Sequence, residues 1–422
     1  MSRMRWARST VVATMAAAGV LATSAAWAVK VGPVEDPIRV VKIAKGQPLV
    51  IGGYFVMSGA DSAVGVDQRR GAEIAIDDLG GTFLGHPIKF VVEDSQCNPE
   101  GGQLAGTKLA ANQQMVVAVG PSCSSEAIAA APLLWKAGIP NVGVSSSSPK
   151  LTEPGRAEGL NGFLRIIFND GWMAKSVAEY FRNELKLDEV ALIHDGSIFG
   201  QTLVDNVKKH YEGLGGKVCA LEAIAPTDVE MRPMLTRIAT CKPKMIYLPV
   251  FVAAGGHIAR QAKEISGLEG AALMGQDSMF SRDFITAAGK AVVGFQFATT
   301  VFEDEAKGKG YNDMKERYKA KFGEYPVQGF HHYAYDAIMV ATKGVEKVAV
   351  KDDQGNTYVP IKALRDALFA TKNYEGLTGP VTCDQYGDCG RLTLAVYEYV
   401  SEDPDKFGIG INPVRKWPAK LQ

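Results

Sequence analysis

Short apolar runs alternate with amphipathic segments of helical length along most of the chain. The first run lies in "PLVIGGYFVMSG", and "DQRRGAEIAIDDLGG" follows it with the spacing of an amphipathic helix that ends at a glycine pair. The runs in "HPIKFVVEDSQ", "MVVAVGPS" and "IPNVGVSSSS" are again predicted strands, separated by predicted helices. Such runs between helices are typical of a parallel sheet covered on both faces, so we expect an open α/β sandwich.

The same alternation restarts after "GFLRIIFNDG" and predicts a second lobe. Its predicted strands are "EVALIHDG", "GKVCALEAI", "KMIYLPVF" and "AALMGQDS", with amphipathic segments between them. The predicted fold class is therefore α/β, with two Rossmann-like three-layer αβα lobes in tandem. Neither lobe carries the glycine spacing of a dinucleotide or P-loop site after a strand, so the sequence does not favour nucleotide binding.

Two serine-rich segments follow successive predicted strands of the first lobe. In open α/β sheets, ligands bind outside the carboxyl ends of the strands. The first segment also precedes a predicted helix, whose free N–H groups and positive dipole end favour a carboxylate. One such segment alone is more often a cap or a turn, but two at neighbouring strand ends favour a binding site. The two segments are Ser122, Cys123, Ser124 and Ser125, and Ser145, Ser146, Ser147 and Ser148.

The second lobe offers a carboxylate and two aromatic rings in comparable positions. Asp277 ends the predicted strand "ALMGQD", where it would pair with an ammonium group across a cleft. Phe199 and Phe251 also follow predicted strands and would close on an apolar side chain. Each residue alone is more often surface or core. Together with the serine segments they indicate an anion site, a cation site and an apolar wall.

Composition and the first residues indicate an exported protein with a small ligand. The chain has 422 residues, Lys plus Arg equals Asp plus Glu at 46 each, and no basic stripe occurs, so nucleic-acid and membrane-surface binding are not favoured. Residues 1–28 combine three arginines, an apolar run and small residues at 26 and 28, which predicts a cleaved signal peptide. The alternative, a membrane anchor, is disfavoured because the run is shorter than ~20 residues. No cysteine follows the cleavage site, so we expect a periplasmic protein and not a lipoprotein.

Six cysteines in an exported chain predict disulfides. Their order suggests three local pairs, although sequence alone does not fix the connectivity. The pair in "CDQYGDC" encloses turn-forming residues and would staple a hairpin. A zinc site is the alternative, but the spacing is irregular and lacks C-x-x-C, so we expect no metal and no cofactor. The cysteines are Cys97, Cys123, Cys219, Cys241, Cys383 and Cys389.

Several motifs together resemble those of type I periplasmic solute-binding proteins, most closely the leucine/isoleucine/valine-binding proteins of ABC importers. They include "GYFVMSG", "EDSQCNP", "GPSCSS", "SSSSPKLT", "FLRIIFND", "ALIHDGSIFGQ", "GHIARQAKEISG", "MGQDS" and "LTGPVTCDQYGD", and the resemblance covers roughly residues 48–412. It implies two lobes that close like a hinge and are joined by three crossovers, near residues 166–170, 294–298 and 373–379. The implied bounds are 29–47 for a leader, 48–167 with 299–372 for lobe 1, and 168–298 with 373–415 for lobe 2.

The resemblance also implies roles for individual residues. The positions of Ser124 and Ser147 bind the α-carboxylate of the ligand in that family. Ser145 matches a position whose main-chain carbonyl takes the ammonium group. Asp277 aligns with an ammonium-binding glutamate and is one methylene shorter.

Further features of the family fall on a disulfide and on the apolar wall. The resemblance implies a disulfide between Cys97 and Cys123 beside the site. Phe199 and Phe251 align with residues that are commonly tyrosine. Val64 aligns with a tyrosine of the closest relatives, so the pocket is expected to be more apolar and the ligand need not be leucine.

The function expected from the resemblance is capture of a branched-chain or other hydrophobic amino acid for delivery to an ABC permease and its ATPase. We expect a monomer. Alternatives are an aromatic or aliphatic carboxylate or amide-type ligand, and a ligand sensor with the same lobes. An enzyme with Cys123 as nucleophile and His194 or the pair His331 and His332 as base is disfavoured, because a disulfide would remove the thiol. The tail "NPVRKWPAKLQ" is expected to pack loosely on the second lobe.

Overall fold

The structure is a computed structural model that describes residues 28–302, 307–326, 328–408 and 410–418. The predicted signal peptide therefore lies outside the described residues, except for residue 28. The strands are β1 (Val29–Val31), β2 (Val34–Asp36), β3 (Val40–Ile43), β4 (Leu49–Phe55), β5 (Thr82–Phe83), β6 (His86–Asp94), β7 (Met115–Val119), β8 (Asn141–Gly143), β9 (Phe163–Arg165), β10 (Glu189–His194), β11 (Lys217–Ala223), β12 (Met245–Tyr247), β13 (Ala272–Gln276), β14 (Gln296–Thr300), β15 (Val350–Lys351), β16 (Thr357–Pro360), β17 (Tyr374–Gly376), β18 (Gly379–Val381), β19 (Leu394–Glu398) and β20 (Val414–Trp417). The α-helices are α1 (Ser62–Asp78), α2 (Pro99–Ala110), α3 (Ser124–Lys136), α4 (Asp170–Glu179), α5 (Ile198–Gly213), α6 (Arg232–Ala239), α7 (Val252–Ala262), α8 (Arg282–Ala288), α9 (Tyr311–Phe322), α10 (His331–Val348) and α11 (Ile361–Phe369).

Lobe 1 is built on a sheet with the strand order β5-β6-β4-β7-β8-β9. Strands β6, β4, β7, β8 and β9 run parallel, and only the short β5 is antiparallel to its neighbour. Every residue of β4 and β7 is buried, as expected for strands covered on both faces. Helices α2 and α3 pack together, and α10 returns from later in the chain to pack on α1.

Lobe 2 is built on a sheet with the strand order β11-β10-β12-β13-β14-β19-β20. The first five strands in this order are parallel, and β19 and β20 are antiparallel additions at one edge. Helix α4 packs on α5, and α7 packs on α6 and α8. The prediction of two α/β lobes is confirmed.

Two of the expected connections between the lobes lie elsewhere. Strand β14 extends to Thr300 and is paired with β19, so the second connection leaves lobe 2 after Thr300 and not near residues 294–298. The hairpin of β17 and β18 lies on lobe 1, because Asp336 of α10 accepts hydrogen bonds from the N–H groups of Leu377 and Thr378 at 2.8 Å. The assignment of residues 374–381 to lobe 2 is therefore wrong, and the third connection follows them.

The leader and the tail are both part of sheets. Strand β3 pairs antiparallel with β16, and Asp36 accepts hydrogen bonds from the N–H groups of Lys362 and Ala363 at the start of α11. This carboxylate supplies the cap that the helix lacks at its own N-cap residue, Pro360. The tail contributes β20, which pairs with β19 and is not the loose segment expected. Propensity alone did not reveal either strand, since each is short and depends on a distant partner.

The six cysteines form three disulfides. These are Cys97–Cys123, Cys219–Cys241 and Cys383–Cys389, the local pairs expected from their order. The third disulfide staples two short arms of chain that are joined by main-chain hydrogen bonds, from the N–H of Thr382 to the carbonyl of Cys389 at 3.2 Å and from the N–H of Asp384 to the carbonyl of Asp388 at 2.9 Å. It closes a turn that lies beside β9, where Asp388 pairs with Arg165.

A buried ion pair between Arg165 and Asp388 joins this turn to lobe 1. The Arg165 side chain is fully buried, and its Nε lies 2.6 Å from Asp388 Oδ1. The same guanidinium donates hydrogen bonds to the main-chain carbonyls of Ser146 and Ser148, at 3.0 and 2.7 Å. Asp388 also accepts from the side chain of Asn169, the N-cap of α4, at 2.7 Å. One ion pair therefore holds the second serine segment, the first connection between the lobes and the disulfide-closed turn.

We expect Asp388→Asn to lower the free energy of unfolding by roughly 3–5 kcal/mol, because it leaves the buried Arg165 charge uncompensated. Urea unfolding followed by circular dichroism measures the change. The matched control is Glu264→Gln, which removes one partner of the exposed Arg232 and should change little. A loss for Asp388→Asn no larger than that of the control would contradict this view of the pair.

Candidate ligand-binding site

A cavity lies between the carboxyl ends of the two sheets. The cavity has a volume of about 40 Å³, which is room for a few waters or one small ligand. Both lobes contribute to its wall, as expected for the cleft of an α/β protein. The lining residues are Val56, Asp61, Val64, Ser122, Cys123, Ser124, Ser145, Ser147, Phe199, Phe251, Asp277, Ser278 and Phe330.

All predicted contact residues except Ser146 line this cavity. Ser146 is fully buried, and its hydroxyl donates to the carbonyl of Cys123 at 3.0 Å and lies 3.3 Å from that of Pro121. Its prediction as a ligand contact is therefore wrong. In an irregular segment, neighbouring side chains do not all face the same way, and Ser146 turns to the protein between Ser145 and Ser147.

The two serine segments are hydrogen-bonded to each other. Ser124 Oγ accepts from the N–H of Ser148 at 3.1 Å, and Ser145 Oγ donates to the carbonyl of Ser122 at 2.6 Å. These bonds fix the hydroxyl groups around the start of α3. The hydroxyls of Ser122 and Ser145 are donated to protein acceptors and hold the tip in place, while Ser124 lines the cavity at the first turn of α3.

Glu126 takes part of the hydrogen-bonding capacity at this helix start. Its carboxylate accepts from the N–H groups of Cys123 at 2.9 Å and of Cys97 at 2.5 Å. Burial raises the pKa of Glu126 to about 7 even though these N–H groups favour its ionised form. Glu126 therefore occupies the N–H of the N-cap residue Cys123, and Ser124 lies next to it at the first turn of α3.

Asp277 lines the cavity, and the charge of Asp170, the first residue of α4, acts on it. Burial, and secondarily the charge of Asp170, raises the pKa of Asp277 to about 7. Burial also raises the pKa of Asp170 to about 7, although Ser147 donates a hydrogen bond to it at 2.8 Å and Arg165 attracts its charge. A cation in the cavity would relieve the repulsion between these two carboxylates.

Apolar side chains cover the remaining wall. The rings of Phe199 and Phe251 meet with centroids 5.7 Å apart. Val64 lies at the start of α1, and the next residue, Gly65, approaches the main chain of Val56 so closely that an added Cβ would lie 1.9 Å from the Val56 carbonyl oxygen. Glycine at this position therefore lets α1 pack against the strand end that lines the cavity.

Three hydrogen bonds cross the cleft and involve the first turns of lobe 2 helices. The N–H of Val252, at the start of α7, donates to Asp61 Oδ1 at 3.3 Å. The N–H of Ile198, at the start of α5, donates to Ser125 Oγ at 3.2 Å. The hydroxyl groups of Ser148 and Thr202 lie 3.5 Å apart across the same cleft. When the lobes are closed, side chains of lobe 1 therefore cap the starts of helices in lobe 2.

Sequence reasoning missed Val56, Asp61, Ser278 and Phe330 as lining residues. Asp61 follows the glycine that breaks the first strand, where an aspartate is usually taken as the cap of the next helix. Phe330 lies more than 260 residues from Val64 by its number and reaches the cavity only because α10 returns to lobe 1. Of these four residues, only Asp61 could have been found from the sequence, because it follows a predicted strand that ends at the ligand-binding edge of the sheet.

The groups of the enzymatic alternative do not form a catalytic set. The sulfur of Cys123 is bonded to Cys97 and so carries no thiol. His331 is buried, and its Nδ1 lies 3.0 Å from Asp67. Within the described ranges, no helix is both long and apolar enough to cross a bilayer.

The chain belongs to the periplasmic binding protein family, whose pattern it matches over residues 48–400. Membership implies an extracytoplasmic location. The chain is 27% identical over 363 residues to the leucine-, isoleucine-, valine-, threonine- and alanine-binding protein of Pseudomonas aeruginosa, covering 85% of this chain and 90% of that protein. These findings confirm the resemblance seen in the sequence.

Two solved structures share the fold. A leucine-binding protein from Thermotoga maritima superposes with a TM-score of 0.74 at 22% identity, covering 84% of this chain and 96% of that one. A solute-binding protein of an R. palustris ABC transporter, solved with benzoate, gives a TM-score of 0.70 at 21% identity, covering 87% and 95%. Relatives of this fold are solute-binding proteins, and their ligands differ in whether they carry an amine.

We expect the stability of the ligand-free protein to fall as the pH rises from 5 to 8, with a smaller fall in Asp277→Asn. The folded-state pKa of Asp277 is raised to about 7, so the folded protein binds more protons than the unfolded chain in this range. The variant removes this contribution. Thermal unfolding at several pH values measures the slope, and Asp313→Asn on the exposed face of α9 is the control. An unchanged slope in Asp277→Asn would exclude the assigned coupling.

Proposed function

We propose that this protein is the extracytoplasmic binding subunit of an ABC importer and captures an amino acid in the cleft between its lobes. The observation that carries the proposal is that Ser124, which starts α3 on lobe 1, and Asp277 of lobe 2 line the same cavity. No lysine, arginine or histidine is found among the described residues that line the cavity. Such a wall favours a ligand that brings its own positive charge.

These charges suggest which residues bind each charged group of the ligand. The ammonium group pairs with Asp277 and thereby offsets the repulsion from Asp170. The carboxylate meets Ser124 and the first N–H groups of α3, whereas Ser147 already donates its hydroxyl to Asp170. Charge-assisted hydrogen bonds then replace the water that both ligand charges lose.

Capture without chemistry is the proposed mechanism. The two halves of the site lie on different lobes, so a ligand that spans them binds the closed form more tightly and shifts the population toward closure. A permease with its ATPase subunits would recognise that closed form. We propose that the exported protein acts as a monomer after removal of a signal peptide, without a lipid anchor.

A second candidate is a carboxylate ligand without an amine, since the R. palustris structure holds benzoate. The apolar wall formed by Phe199, Phe251 and Val64 suits an aromatic or branched side chain in either case. An amine-free ligand, however, would leave Asp277 beside Asp170 without a cation. The amino acid is favoured for this reason, and a sensor role would use the same site.

We expect isothermal titration calorimetry of the refolded, ligand-stripped protein to detect binding of an α-amino acid and no binding of its deaminated analogue. Asp277→Ala should abolish binding, and Ser124→Ala should weaken it by roughly tenfold, as for one hydrogen bond to a charged group. Asp313→Asn is the control for charge. Equal binding of the deaminated analogue would discard the ammonium site while leaving the carboxylate site in place.

We also expect the affinity for this amino acid to fall as the pH decreases from 8 to 6. Asp277 has a pKa of about 7 in the ligand-free protein, so at lower pH the ligand must displace a proton before its ammonium group can pair. Titration in buffers of different ionisation enthalpy measures the protons released. Binding that releases no proton at pH 6.5 would argue against this coupling.

A further inference from the structure

Asp61 places a second carboxylate in the wall of the cavity. It belongs to the turn between β4 and α1, on lobe 1, whereas Asp277 lies at the end of β13 on lobe 2. The two acids have different charged neighbours, Asp170 for Asp277 and Asp195 with Asp283 for Asp61. They therefore reach the cavity from different lobes.

The orientation of Asp61 is not that of an ordinary helix cap. An aspartate at the N-cap normally accepts from the N–H groups of its own helix. Asp61 is the N-cap of α1, but its side chain makes no such bond. Its carboxylate instead faces the cleft, where Oδ1 accepts from the N–H of Val252 on lobe 2 at the long distance of 3.3 Å. One long hydrogen bond leaves most of the acceptor capacity of this carboxylate unused.

The charge of the cavity also exceeds what one zwitterion can balance. Asp61 and Asp277 both line it, and none of the described lining residues is basic. A ligand with one ammonium and one carboxylate group would neutralise Asp277 and leave Asp61, which is half-buried, without a cation. Burial raises the pKa of Asp61 to about 6, the N–H of Val252 opposes this rise, and the charges of Asp195 and Asp283 add to it. A cation beside this carboxylate would stabilise its ionised form.

The apolar wall is compatible with a ligand that ends in a cation. Long basic side chains bury their methylene stems along apolar surface and keep the charged end at a polar group. The rings of Phe199 and Phe251 provide such a surface, and α7, which begins with Val252 beside Asp61, directly follows Phe251.

We propose that Asp61 determines specificity by pairing with a second cationic group at the end of the side chain of the ligand. The ligand class is then a basic α-amino acid. This inference rests on the proposed amino-acid function and narrows its ligand. The alternative for Asp61 is a structural role, as the trans-lobe cap of α7 alone.

The test compares L-ornithine and L-lysine with L-norleucine, which has an apolar side chain of similar length, by calorimetry on the full mature chain at pH 7.5. We expect at least one basic ligand to bind roughly 10- to 100-fold more tightly than norleucine, as for a charge-assisted hydrogen bond. Asp61→Asn, which keeps the shape and the acceptor oxygen, should remove this preference. Asp313→Asn should leave the preference unchanged.

Each outcome has a separate meaning. Norleucine that binds as tightly as both basic ligands, or a preference that survives Asp61→Asn, would overturn the role of Asp61 and leave the proposed function standing. If Asp61 were a structural cap alone, Asp61→Asn, which keeps the acceptor oxygen, would leave the ratio of the affinities for the basic ligands and norleucine unchanged. If no α-amino acid bound the wild-type protein, the proposed function and this inference would both be wrong.

Discussion

The ion pair between Arg165 and Asp388 is the interaction on which the arrangement of the lobes and the site depends. Arg165 ends the last strand of the lobe 1 sheet, and its guanidinium orients the carbonyls of Ser146 and Ser148. Asp388 in turn holds Asn169, from which α4 starts toward lobe 2. A fully buried guanidinium is tolerable only when its N–H donors are satisfied. Arg165 and Asp388 therefore hold the groups that they hydrogen-bond in place, and those groups hold the ion pair in place. The binding tip and a connection between the lobes are thereby parts of one network.

This network also reaches the charges of the cavity. Ser147 donates to Asp170, which is the first residue of α4 and raises the pKa of Asp277. A cation that pairs with Asp277 changes the charge balance at Asp170 and thus at the start of the connection between the lobes. If the proposed ligand cation binds Asp277, closure and ligand charge would be coupled through short contacts among residues 165–170 and the serine segment beside them.

The sequence predicted the two lobes and most of the cavity wall because both follow from local patterns. Apolar runs between amphipathic helices define parallel sheets, and the position of Ser124, Ser147 and Asp277 after such runs places them at the ligand-binding edge. The crossover after Thr300 and the strand β20 were not predictable, since each depends on antiparallel pairing with a distant strand. The prediction for Ser146 was wrong, and Asp61 was missed, for another reason. Whether a side chain in a turn faces its own backbone or the cleft is decided by tertiary contacts, and the residue type is the same in both cases.

The aspartates of the cleft show how one residue type takes different roles according to its partners. Asp36 saturates its carboxylate with the N–H groups at the start of α11, and its role is structural. Asp61 faces the start of α7 with a single long bond and lines the cavity. A capping carboxylate gains stability mainly when its acceptors are filled, so the sparse partners of Asp61 are better explained by a ligand than by the helix. The same criterion supports the proposal for Asp277, because burial and the charge of Asp170 raise its pKa and a ligand cation would stabilise its ionised form.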